Sequence, residues 1–206
     1  RVFLMFNIKR PSILIICYNI IMNFNLASKI EKNSRVILWL TIFIYFVVFS
    51  LLSIKKYQGF DYNLFDLSIY NQVFFNTTQG RLFDMTINLH NYLGDHFEPM
   101  ILLLLPIYFI KMSPVTLLFL QSAIVALAAW PLYLIAKNVL AKAPLALLVV
   151  ILWLLNPFVH SANLYEFHLL IFMPFFLFWA FYFYQKNNFK LFCLFFILGL
   201  LVREDI

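Results

Sequence analysis

Residues 36–54 read VILWLTIFIYFVVFSLLSI, an apolar run with no charged side chain. As a helix rising about 1.5 Å per residue it reaches roughly 29 Å, close to the ~30 Å hydrocarbon core of a bilayer. That makes it a membrane span, and the rest of the chain agrees. Of 206 residues, 64% are apolar and only 12% charged, where soluble domains sit near about half and a quarter. Mean hydropathy is +0.89. A water-facing surface of this size has no room to hide 26 Phe residues. A soluble enzyme, a disordered chain and a disulfide-stapled secreted domain are all excluded. The composition is that of an all-α polytopic membrane protein.

The net charge of +6 reports membrane anchoring rather than nucleic-acid binding, since no basic run with interleaved aromatics occurs. Cys17 and Cys193 are too far apart in sequence to suggest a disulfide framework or metal spacing. Near the start, residues 12–22 are apolar but too short to span. Lys9 and Arg10 precede them, as in a signal peptide, but no small-residue cleavage site follows. The expected native start is Met22, with residues 1–21 as upstream readthrough and 1–35 as a cytoplasmic segment.

Outward from the first span, a polar-aromatic stretch runs from 55 to 114. Within it the apolar residues 99–110 are too short to cross and read as an interfacial or re-entrant helix. Further spans are expected at 115–136, 143–159, 169–184 and 191–202, about five in all. Orientation follows from Lys and Arg in short loops. Lys29, Lys32, Arg35, Lys137, Lys142, Lys186 and Lys190 mark the cytoplasmic side. Asp61, Asp66, Asp84, Asp95, Glu98, Glu166, Glu204 and Asp205 then fall on the other side, as do all four His, while Glu31 stays inside. The bland reading is that long loops collect polar residues. The sharper one is a single outward-facing site, because carboxylates beside spans mark substrate or ion pathways.

Three segments can carry chemistry. Residues 59–72 hold Asp61 and Asp66 among aromatics near the membrane surface, where desolvation favours general-base behaviour of a carboxylate. Asp66 can equally well cap a helix. Residues 94–99 hold His96 and Glu98, with His90 nearby. Their spacing matches no metal box, so no cofactor is indicated and a divalent metal is left open. Residues 163–168 hold Glu166 and His168 on the hairpin between two spans, close to Asn156, Pro157 and His160; they form a pocket wall or simply wet the loop. There is no phosphate-binding Gly loop, no zinc-protease helix motif and no Ser nucleophile elbow. Asn76-Thr77-Thr78 matches a glycosylation acceptor by a short pattern only. No internal repeat of the transporter kind is visible.

The order Phe65-Asp66-Leu67-Ser68-Ile69-Tyr70-Asn71-Gln72, Gly80, His96-Phe97-Glu98-Pro99, Pro106-Ile107-Tyr108, Gln121, Pro131-Leu132-Tyr133-Leu134, Asn156-Pro157, Glu166-Phe167-His168 and Arg203-Glu204-Asp205 resembles one family. It is the prokaryotic membrane-protein family called domain of unknown function 2079, grouped with the GT-C glycosyltransferases. The likeness runs from about Ser53 to Asp205. Family members commonly carry Asp where this chain has Glu166 and Lys where it has Arg203; both exchanges keep the charge. The resemblance implies a GT-C-like N-terminal part with a large first extracytoplasmic loop. It also implies transfer of a sugar from a polyprenyl-phosphate donor to an acceptor at the extracytoplasmic face of the cell membrane.

On that resemblance Asp66, with Asp61 second, is the catalytic base, and Arg81, Lys56 or Arg203 faces the leaving phosphate. Glu166 and His168 line the opposite wall, and His96, Glu98 and Glu204 complete the substrate-binding set. The expected partners are the lipid-linked sugar donor and membrane lipid, with no nucleic acid. The rival readings are a transporter or lipid-handling protein using the same carboxylates, and a non-catalytic membrane subunit. Transport favours ionisable residues buried mid-span, and 36–54, 115–136 and 143–159 contain no Asp, Glu, Lys, Arg or His.

Overall fold

A computed structural model describes residues 24–63, 65–88 and 90–204, and the expected start at Met22 lies outside them. Helices and connecting turns make up the described residues, with no strand among them. The first helix, α1 (Phe24–Gln58), contains the 36–54 run. Its buried residues Leu38, Ile42, Tyr45 and Phe49 recur at steps of four, three and four, so they form one stripe. Val36, Leu40, Phe43, Ile44 and Leu51 face outward and are exposed, which is costly in water and natural against lipid.

The stripe packs against α4 (Pro114–Leu140) and α5 (Ala143–Leu154). Ala126, Ala129, Ala136, Ala143 and Ala146 are all buried in this contact. Small side chains let membrane helices approach closely. Ser113 caps α4 by accepting the Val115 N–H at 3.3 Å, and Pro114 occupies the first turn, where a missing N–H costs nothing.

Two helices, Ser28–Gln58 and Pro114–Leu140, are long and apolar enough to cross a membrane. A third crossing arises if α5 and α6 (Pro157–Leu164) act as one span bent by 48°. The span expected at 143–159 is thus built of two helices, the second running on to Leu164. Pro157 has no N–H to continue the ladder and holds Asn156 in extended backbone (ψ 124°). Asn156 then caps α6 by accepting the Phe158 N–H at 2.9 Å. The segments expected at 169–184 and 191–202 are a 3-10 turn (Leu169–Phe172) leading into α7 (Met173–Gln185), then α8 (Phe189–Leu200). These are shorter apolar helices packed as a hairpin.

The 55–114 stretch is a folded layer with its own core. It contains α2 (Phe65–Thr78), a 3-10 turn (Tyr92–Gly94) and α3 (Met100–Tyr108), the last inside the expected 99–110 segment. Leu67, Val73, Phe74, Tyr92, Ile101 and Tyr108 are buried there with Phe167 and Phe172. The layer joins α1 through a Schellman-type end: the Asp61 N–H reaches Lys56 O at 2.9 Å and the Phe60 N–H reaches Tyr57 O at 3.3 Å. The left-handed position of that motif is filled by Phe60 (φ 57°) rather than by its neighbour Gly59. A bulky residue in that region costs of order 1–3 kcal/mol.

The two ends of the bundle differ in charge. At one end Glu31 caps α5 by accepting the Ala143 N–H at 2.9 Å, and Lys186 donates to Asn138 at 3.1 Å. The basic segments 29–35, 137–142 and 186–190 therefore meet at the same end. At the other end of α1, Lys56 donates to the Leu164 carbonyl at 2.9 Å, which draws the α6–α7 connection toward α2.

Candidate active site

The site forms where α2 meets the connection between α6 and α7. Three links fix that connection. Gln121, fully buried in α4, donates to the carbonyls of Asn163 (3.0 Å) and Glu166 (3.1 Å), and its Oε1 accepts the His168 N–H at 2.9 Å. Lys56 holds Leu164. The buried Glu166 carboxylate accepts the Leu67 N–H at 2.8 Å, satisfying an orphan donor of the first turn of α2 from across the fold.

With both pieces fixed, His168 Nε2 lies 3.3 Å from Asp66 Oδ2, each side chain about one-third exposed (30% and 34%). The carboxylate is close enough to orient the imidazole and open enough to meet a substrate. One turn along α2, on the same face, the Tyr70 ring stands nearly perpendicular to that of Phe167 (centroids 5.0 Å apart) and lies 6.1 Å from the His168 ring. Its hydroxyl donates to Glu98 at 2.9 Å.

Glu98 is fully buried. It accepts a second hydroxyl, from Tyr92, at 2.6 Å. Burial pushes its carboxyl above the ordinary value, and the two tyrosine hydrogen bonds pull against that. Beside it, His96 Nδ1 lies 3.1 Å from Glu204 Oε1, and the Phe97 N–H donates to Glu204 Oε2 at 2.8 Å. The hydrogen bond from His96 is the main reason the exposed Glu204 carboxyl falls to about 2. Arg203 Nη2 approaches His96 Nε2 at 3.4 Å, and the Met100 N–H binds the Leu201 carbonyl at 3.0 Å. Residues 201–204 are thereby strapped over the start of α3.

Of the residues singled out from the sequence, Asp66 and His168 pair, and Tyr70 joins them to Glu98. His96, Arg203 and Glu204 form an adjoining group. Glu166 contributes from beneath, its carboxylate holding α2. Asp61 is exposed on the turn after α1, with no ion pair to the His168 group. Arg81 is engaged in its own loop, donating to Asn76 at 2.5 Å and facing Asp84 at 3.7 Å. Lys56 is committed to Leu164 and lies over the Tyr62 ring at 4.7 Å. His90 pairs with Asp95 at 2.5 Å, away from His96. Among the described residues no three His, Cys, Asp or Glu side chains converge on a metal position.

Tyr70, Gln121 and Asn163 lie in segments singled out from the sequence but were given no role there, and Tyr92 lies outside them. For Gln121 a signal existed: it is a lone amide inside an otherwise apolar span, a position that demands partners. Next to the pair, an apolar cavity of about 590 Å3 is lined by Val125, Trp153, Phe158, Tyr165 and Ile171, with His168 at its polar side.

An all-helical protein with membrane-length apolar helices, carrying a carboxylate–imidazole pair over a buried tyrosine-bound glutamate, is thus defined by fold and site. It belongs to the family described as "predicted membrane protein (DUF2079)", whose family model matches residues 56–206, so the match covers the whole site and begins at Lys56. No curated protein and no solved structure matches the chain.

Proposed function

We propose that this membrane protein is a glycosyltransferase that moves a sugar from a polyprenyl-phosphate donor to an acceptor hydroxyl at the extracytoplasmic face. The observation that carries the reading is the Asp66–His168 pair beside the apolar cavity, a polar reacting group next to space for a lipid chain. The acceptor oxygen attacks the anomeric carbon, its proton passes to Asp66, and the bond from that carbon to the phosphate oxygen breaks. A single displacement with oxocarbenium character inverts the anomeric centre. His168 holds the carboxylate in position. Arg203, in the adjoining group with His96, is the cation best placed to face the leaving phosphate. In this reading α7 and α8 complete five membrane crossings in a GT-C-like arrangement, with α2 and α3 forming the first external layer.

The test is Asp66→Asn, following release of free polyprenyl phosphate from polyprenyl-phosphate hexoses in membranes containing the protein. Loss of a general base lowers transfer by about 10²–10⁴-fold. Unchanged release would remove Asp66 as base. The same cavity favours lipid handling as the second reading, which predicts that Asp66→Asn leaves lipid binding intact and that no polyprenyl phosphate is ever released.

A further inference from the structure

Helix α2 has two working faces. Asp66 and Tyr70 lie on one; Ser68, Asn71, Gln72 and Phe75 lie on the opposite one, by the 100° turn per residue. Between that opposite face and the end of α1 is a cavity of about 320 Å3, lined by Tyr57, Gln58, Phe60, Ser68 and Asn71, with Leu67 and Pro114 at its floor. A second hollow of about 440 Å3 shares Ser68 and Asn71 and continues along Gln72, Phe75 and Asn76, so the two form one groove. These volumes lie in the range of roughly 300–1,000 Å3 typical of small-molecule sites.

The lining selects the ligand class. No charged side chain lines either hollow, so a phosphate or carboxylate has no counter-charge there. Amides and a hydroxyl are superfluous to an acyl chain. Asn71 spends its carbonyl oxygen on the Tyr108 hydroxyl at 2.8 Å, which aims its amide NH2 as the free donor. Gln72 and Asn76 are held by Thr86 and Asp84 and form rigid walls. Phe60 is 80% exposed and kept in the left-handed backbone region at the rim, although Gly59 stands beside it. An exposed aromatic ring offers its negative face to the weakly positive C–H edges of a sugar ring, while amides and hydroxyls pair with its hydroxyl groups.

We infer that this groove binds an uncharged carbohydrate, a part of the acceptor remote from its reacting hydroxyl, on the side of α2 opposite Asp66. The assignment of the bound sugar as acceptor rests on the transferase reading; the binding itself does not.

The experiment is saturation-transfer NMR on the protein in nanodiscs, free of sugar-headed detergent. Glucose-, mannose-, galactose- and N-acetylglucosamine-based tetrasaccharides are the soluble probes. A parallel disc carries glucosyl diacylglycerol, so that free and lipid-linked sugars are distinguished. Signal from either arm that falls at least tenfold in Phe60→Gly and in the Gln58→Ala, Ser68→Ala pair supports the groove. Phe60→Gly is informative because glycine suits that backbone, so its melting temperature stays level or rises while binding is lost. No signal from any probe, or signal indifferent to these substitutions, overturns the inference. Asp66→Asn separates the two readings: it is expected to keep the sugar signal even where transfer is abolished.

Discussion

The Glu166 carboxylate accepts the backbone N–H of Leu67 at 2.8 Å, across 99 residues of chain. The residue next to Asp66 is therefore pinned by the loop that also carries His168. This one bond couples the orientation of α2 to the position of the imidazole.

Glu166→Ala should leave the Leu67 N–H without its partner and cost about 1–3 kcal/mol. Glu166→Gln keeps an acceptor oxygen and should recover most of that loss. Thermal melts of the two variants in nanodiscs check this. An alanine variant as stable as wild type would mean that water or another group replaces the cap.

Stability should also depend on pH through Glu98. Its folded-state pKa is raised by burial, so between the ordinary carboxylate value and the folded one the native state holds the proton that the unfolded chain has released. The contribution is fully present below the unfolded value and is lost as pH rises through the folded one, at about 1.4 kcal/mol per unit of elevation. Melting the wild type and Glu98→Gln across pH 4–8 (about the range of the transition) should show the wild type falling relative to the variant. Parallel curves would mean that Glu98 titrates normally.

The acidic cluster and the basic loops lie at opposite ends of α1, so their sidedness is directly testable. Single cysteines at Asn63, Tyr165 and Lys190, in a background lacking Cys17 and Cys193, separate them. Asn63 and Tyr165 are exposed near the site, and Lys190 is exposed at the basic end. A membrane-impermeant maleimide applied to intact cells should label the first two and spare the third. Labelling that splits Asn63 from Tyr165 contradicts the shared site.

The membrane class, the apolar run of α1, a further apolar helix from about residue 115 and the acidic segments 59–72, 94–99 and 163–168 were legible in the residue order. Each depends on local period or composition, which survives without knowing what a helix packs against. The bend at Asn156-Pro157 within the 143–159 segment was not legible from its apolar count, because such a count registers the length of a run and not the loss of one N–H. The polar positions of residues 63–76 scatter around a helical wheel because α2 buries Leu67, Val73 and Phe74 but uses its two flanks for different groups. Only the tertiary structure decided that Asp66 meets His168, that Tyr70 reaches Glu98, and that Arg81 turns back to its own loop. Those pairings depend on how α1, α4 and the α6–α7 connection set the angle of α2. That angle comes from packing and from buried hydrogen bonds such as those of Gln121, between residues far apart in the chain.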